Sequence, residues 1–180
     1  MGRYVALLRG INVGGKNQVP MAELRAAFED DGFDAVESYI QSGNVVFETD
    51  RARRRLEGDV EEIMERDFGI PVVVVVRSHR QLCNVVRTAP DGFGRSPETF
   101  HSDVVFLKSP LTPARALAAL DRREGVDEAW AGTGVVYFRR RSAERTRSRL
   151  SRIAGRPEYA HMTIRNWNTT TTLLAMLDAR

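Results

Sequence analysis

The residues best suited to chemistry lie in one stretch, Arg9-Gly10-Ile11-Asn12-Val13-Gly14-Gly15-Lys16-Asn17-Gln18. Glycines let backbone amides come close to a ligand, and Arg9, Asn12, Lys16 and Asn17 add side-chain donors. The run from Gly10 to Lys16 satisfies G-x-x-x-x-G-K, the first part of a phosphate-binding loop. Asn17 stands where Ser or Thr would bind magnesium, and Val19-Pro20 separates the loop from the next helix. Backbone amides then lack the helix-terminus geometry that cradles phosphates, so a nucleotide triphosphatase is not expected. Two readings stay open. One is a looser anion-binding nest. The other is a glycine-rich loop ordered by its own Asn side chains.

Other constellations are poorer. His79, His101 and His161 have no metal-ligand spacing, so no metal or other cofactor is expected. His101 and Asp103 are two apart on a strand with no obvious nucleophile beside them. Cys83 shares an apolar helix stripe with Leu82 and Val86, which places it in the core. In Thr163-Ile164-Arg165-Asn166-Trp167-Asn168-Thr169, Arg165 suits an anion. Trp167 reads as a packing anchor rather than a stacking platform, and Asn168 or Thr169 as a helix cap.

A third candidate is the basic run Arg139 to Arg156, opposed only by Glu144. Read as a helix over 142–154, it puts Arg141, Arg145, Arg149 and Arg152 on one face, with Leu150 and Ile153 turned away. Such a face can track a nucleic-acid backbone. No aromatics are interleaved for base stacking, and a solvated arginine face is the plainer reading.

These segments need elements to position them. Arg3 to Arg9 is a continuous apolar strand suited to a central position. A helix follows Pro20 and stops at Gly32. Val36–Gln41 and Val45–Glu48 flank Ser42-Gly43-Asn44, a hairpin signal. A helix capped by Thr49 or Asp50 runs to about Phe68, and Pro71–Val76 is a fourth strand. The order βαββαβ is the ferredoxin-like unit. In its usual sheet, ordered 4-1-3-2, the loop after strand one and the hairpin after strand two emerge at the same end. Arg9, Asn12, Lys16 and Asn17 should therefore meet Gln41, Ser42 and Asn44.

The second half repeats the order: a strand at 103–107, a helix at 113–120 with Thr112 as cap, strands at 128–131 and 135–139 around Gly132-Thr133-Gly134, the arginine helix, a strand at 161–165 and a closing helix at 170–177. The fold class is α+β: two ferredoxin-like halves with antiparallel sheets and an extra C-terminal helix. Half one spans 1–77, a helical connector and loop 78–102, and half two 103–180. The repeat is one of element order, not of sequence identity.

Composition sets the limits. The chain has 180 residues, 42% of them hydrophobic, enough for a core. No apolar run approaches the ~20 residues that span a bilayer, no secretory leader is visible, and one cysteine excludes an internal disulfide. A cytoplasmic protein without membrane partners is expected. Residues 1–77 carry 10 basic and 14 acidic side chains, residues 78–180 carry 17 and 10. The basic second half favours anionic partners. Only Lys16 and Lys108 are lysine, however, so the arginine bias is chain-wide.

Tyr4 to Asn17 resembles the opening signature of a bacterial family, domain of unknown function 1697. Tyr39-Ile40-Gln41-Ser42-Gly43-Asn44-Val45-Val46-Phe47 resembles its second signature and Thr163–Thr169 its third, with Ile164 where a second Thr is common. The resemblance implies two ferredoxin-like halves and no assigned activity. It adds that all three signatures border one cleft. The leading expectation is thus a small anionic ligand, phosphate- or carboxylate-bearing. Arg9, Lys16 and Arg165 would neutralise it, and Asn12, Asn17, Gln41, Ser42, Asn44 and Asn166 would orient it. Donors outnumber acids and bases, which suits recognition better than proton transfer. Whether the protein is an enzyme stays open, as does its oligomeric state. The alternatives are sequence-independent nucleic-acid binding through the arginine helix, or an interaction module without ligand.

Overall fold

The computed structural model describes residues 1–180, which divide into two compact units. Met1–Leu82 with Thr172–Arg180 form the first, Cys83–Thr171 the second. The first contains β1 (Gly2–Leu8), α1 (Met21–Asp30), β2 (Asp34–Tyr39), β3 (Asn44–Thr49), α2 (Arg53–Phe68) and β4 (Val74–Ser78). Its antiparallel sheet is ordered β2-β3-β1-β4, the ferredoxin-like order expected. Val5 to Leu8 are fully buried, as an apolar run in a central strand requires. Beneath the sheet, Phe28, Phe33 and Phe47 meet edge to face or tilted, with Leu24, Leu56, Val60 and Ile63 around them.

The caps differ in detail from expectation. Ala52, not Thr49 or Asp50, precedes α2, and no side chain caps it. The C-terminus is drawn into this unit: the Arg3 guanidinium donates to the Leu177 and Arg180 carbonyls, and Arg180 pairs with Glu37 at 3.0 Å.

The free edge of β4 is occupied by side chains of its own unit. Val74 N–H donates to Glu61 Oε1 and Val76 N–H to Glu57 Oε1, both at 3.1 Å. Arg77 Nη1 donates to the Val76 carbonyl at 2.9 Å, and Ser78 N–H to Gln81 Oε1 at 3.0 Å. Glu57 and Glu61 lie one helical turn apart, so they meet alternate residues of the strand. A valine run of this kind would otherwise be a template for pairing with another chain. Replacing both Glu57 and Glu61 by Ala should cost about 2 kcal/mol for two orphaned donors. It should also make sedimentation more dependent on concentration than it is in the parent, read by analytical ultracentrifugation.

The second unit contains β5 (Phe100–Leu107), α4 (Pro113–Ala119), β6 (Asp127–Gly132), β7 (Val135–Arg141) and β8 (Met162–Asn166). Its sheet is ordered β6-β7-β5-β8, the same topology again. Thr112 caps α4 as expected, accepting the Arg115 amide at 3.3 Å. Two helices join the units' sequences, α3 (His79–Arg87) and α5 (Trp167–Asp178).

The helix expected over 142–154 is absent. Three 3-10 segments replace it, Ser142–Arg147, Leu150–Gly155 and Pro157–His161. The cause is a long-range bond: the Arg149 amide donates to Asp127 Oδ2 at 2.9 Å, so it does not point back along a helix. The Ser148 hydroxyl takes the Leu150 amide in the same way. Leu150 and Ile153, three apart, are the only buried apolar pair there, which is the 3-10 repeat.

α5 also begins earlier than expected. Asn166, not Asn168 or Thr169, caps it by accepting the Thr169 amide at 2.8 Å. Cys83 is exposed, contrary to its placement in the core, while Leu82 and Val85 are the buried residues of α3.

The two halves share a local device. Arg77 and Arg165 each stand one residue before the end of the last strand of their sheet. Each donates Nη1 to the preceding carbonyl, at 2.9 and 3.0 Å. Each is followed by a residue, Ser78 or Asn166, whose side chain accepts the amide three positions on. Burial lowers both guanidinium pKa values, that of Arg165 to about 10.

Candidate functional site

Residues 9–18 and 40–44 form one locked cluster in the first unit. β1 delivers Arg9, whose amide donates to Val73 O at 3.0 Å. The chain then turns on five left-handed residues, Gly10, Asn12, Gly14, Gly15 and Asn17. Two backbone bonds close the loop, Asn12 N–H to Asn17 O at 3.0 Å and Lys16 N–H to Val13 O at 3.1 Å. Asparagine tolerates this backbone because its short amide can bond locally.

Asn12 is the fastener. Its Oδ1 accepts the Val19 amide at 2.7 Å, and its Nδ2 donates to Val19 O at 2.9 Å and to Gln41 O at 2.8 Å. The last bond joins the two segments, so Asn12 and Gln41 lie at the same end of the sheet, as the topology requires. Leu8 N–H to Gly43 O at 2.8 Å is a second tie. Gly43 has a φ of +88°, and a Cβ there would sit 3.0 Å from Ile11 Cγ1, Leu8 Cβ and Leu8 O. Only glycine fits this crossing without a shift.

The three asparagines are thus turned to structural use. Asn17 Nδ2 donates to Gly10 O at 3.0 Å, and the fully buried Asn44 donates Nδ2 to Tyr39 O and Ser42 Oγ, each at 3.1 Å. Outward lie Lys16, Gln18 and Gln41, all exposed, with Gly14 and Gly15 between. Val13 and Ile40 are 60% and 52% exposed, rare for large apolar side chains in this chain. Ile40 also adopts a φ of +48°, a costly conformation for a β-branched residue.

Arg165 and Asn166 belong to the second unit. Arg165 is buried, and its Nη1 donates to Thr163 Oγ1 at 2.8 Å as well as to the Ile164 carbonyl. Asn166 spends its Oδ1 on the helix cap. Trp167 packs edge to face against Phe93 with centroids 5.2 Å apart, the packing role expected of it.

The basic segment does not present a common face. Arg141 ends β7 and donates to Gly125 O, Arg149 and Arg152 both pair with Asp121, at 3.2 and 2.8 Å, and Arg147 pairs with Glu144. Arg145 is exposed. Acids that are distant in sequence, Asp121 above all, neutralise charges that looked unopposed along the chain.

The family model for a protein of unknown function, DUF1697, matches residues 1–137. The chain belongs to this family. That match takes in both segments of the cluster. A solved structure, that of the conserved bacterial protein SP0830 from Streptococcus pneumoniae, is similar at 27% identity and a TM-score of 0.84, covering 99% of each chain. A search of curated proteins finds no match. This DUF1697 member shares the α+β architecture of that structure. None of its helices is long and apolar enough to cross a membrane.

Proposed function

We propose that the locked cluster of residues 9–18 and 41–44 binds a small anion bearing a phosphate or carboxylate group. The observation that carries this reading is the division of labour in the loop. Its asparagine side chains bond inward, while Lys16 and the Gly14-Gly15 backbone stay exposed beside Gln18 and Gln41. A rigid loop of left-handed residues with an exposed ammonium group is preorganised for an anion, so little ordering entropy opposes binding. Arg9, at the exit of β1, adds charge at the base of the loop.

A second reading rests on the same bonds: the cluster stabilises the unit and binds nothing. A thermal-shift series with inorganic phosphate, pyrophosphate, nucleotides and dicarboxylates separates the two, because a ligand specific to the folded state raises the melting temperature. Lys16→Ala should leave stability within about 0.5 kcal/mol, as a surface substitution does, and should remove the shift. If no anion shifts the parent protein, the structural reading stands.

A further inference from the structure

The chain contains two His–Asp pairs, and they differ in one respect. In the first unit, His79 uses both ring nitrogens: Nε2 meets Asp178 at 2.6 Å and Nδ1 meets Arg3 at 3.2 Å. In the second unit, His101 Nε2 meets Asp103 Oδ1 at 3.2 Å, and Nδ1 has no protein partner. The His101 side chain is 42% exposed, that of Asp103 only 7%. Arg140 Nη2 lies 3.6 Å from the other carboxylate oxygen, Asp103 Oδ2, which accepts no hydrogen bond.

The strand register explains the grouping. His101 on β5 stands opposite Arg140 on β7, and Arg140 opposite Asp127 on β6, so the three share one face of the sheet. Asp103 follows two residues after His101 on that face. Burial pushes the Asp103 carboxyl group up, and the charges of His101 and Arg140 oppose that rise.

The chemistry follows from the bond at Nε2. A carboxylate there accepts the ring N–H, holds the proton on Nε2 and leaves the Nδ1 lone pair as the ring's basic atom. The same carboxylate stabilises the imidazolium that forms when Nδ1 takes a proton. A buried acid, a half-exposed imidazole and a guanidinium 3.6 Å from the acid are the parts of a general-base centre. Asp103 and Asp127 carry two formal negative charges against one positive on Arg140, which disfavours an anionic substrate.

We propose that His101 is the general base of a hydrolytic site on the second unit, acting on a neutral carboxylic ester, with Asp103 as its positioning residue. Nδ1 takes a proton from water as the water oxygen attacks the ester carbonyl carbon. The bond to the leaving alkoxide then breaks, and the Nδ1 proton passes to that oxygen. Water and ester become acid and alcohol, and the ring returns to its neutral form.

The test is hydrolysis of p-nitrophenyl acetate by the full chain at about neutral pH. A Cys83→Ser background is needed, since the exposed thiol would be acylated by the same ester. The expected rate falls at least about tenfold in His101→Gln, a modest share of what a positioned base supplies. His79→Gln should match the background protein. Asp103→Asn should lower kcat with KM unchanged, and Asp103→Glu should restore part of it. Equal rates for His101→Gln and the background protein would overturn the proposal. So would an Asp103→Asn protein of native circular dichroism with undiminished kcat. If Asp103→Asn fails to fold, the His101→Gln comparison, made at an exposed side chain, still decides.

Discussion

Gly94→Ala is expected to be among the most damaging single-methyl changes in the second unit. Gly94 has a φ of +74°, and a Cβ built there would lie 2.0 Å from Trp167 Cδ1 and 2.1 Å from Trp167 Nε1. Real carbon contacts do not approach so closely, so the indole must leave its place. That breaks its edge-to-face contact with Phe93, which also meets Tyr137 at 5.3 Å and Trp130 at 6.2 Å. Overpacking of this kind costs about 1–3 kcal/mol, and the left-handed backbone adds about 1 kcal/mol for a residue with a Cβ. The expected loss is about 3 kcal/mol. Both tryptophans, Trp130 and Trp167, lie in the second unit, so intrinsic fluorescence reports its unfolding in urea. A midpoint unchanged from the parent would mean that Trp167 does not anchor this aromatic cluster.

Asn12→Ala should have a comparable effect in the first unit, for a different reason. It removes three hydrogen bonds and leaves the Val19 amide, the Val19 carbonyl and the Gln41 carbonyl in want of partners. Val19 itself is 2% exposed, so water does not easily replace the bond to its amide. Unsatisfied buried groups cost about 1–3 kcal/mol each, and alanine is disfavoured at a φ of +53°. A loss of about 3 kcal/mol is expected by far-UV circular dichroism in urea. Asn12→Gly isolates the backbone term: it should recover the conformational part, about 1 kcal/mol, and not the rest.

Much of the fold could be read from the sequence because local signals agreed with one another. The apolar run Val5–Leu8, the Ser42-Gly43-Asn44 and Gly132-Thr133-Gly134 turns and the valines of β4 are short-range features, and together they fix the strand order in both halves. That order alone brought the two polar segments of the first unit to one end of the sheet. What failed depended on distant partners. Arginine spacing between 139 and 156 imitated a helical stripe, but the Arg149 amide is held by Asp127, 22 positions away. Asp121 likewise pairs with Arg149 and Arg152 from outside the segment.

The meeting of the two polar segments was legible in the sequence, their internal arrangement less so. Composition and element order marked segments that do meet, but not the direction of each amide. Asn12, Asn17 and Asn44 turn inward because the left-handed turns leave carbonyls that need donors, a demand set by backbone geometry. His101 and Asp103 were visible as a pair two apart. Arg140, which completes the group, became a neighbour only through the β5–β7 register.

The central claim is that the 9–18 and 41–44 cluster takes a small anion. An amide-resolved NMR titration of the full chain with inorganic phosphate tests it most directly. Saturable shifts are expected, centred on the Gly14, Gly15 and Lys16 amides, extending to Gln41, and lost in Lys16→Ala. Shifts confined to the arginine segment 141–156, or none in the cluster at saturating phosphate and pyrophosphate, would contradict it.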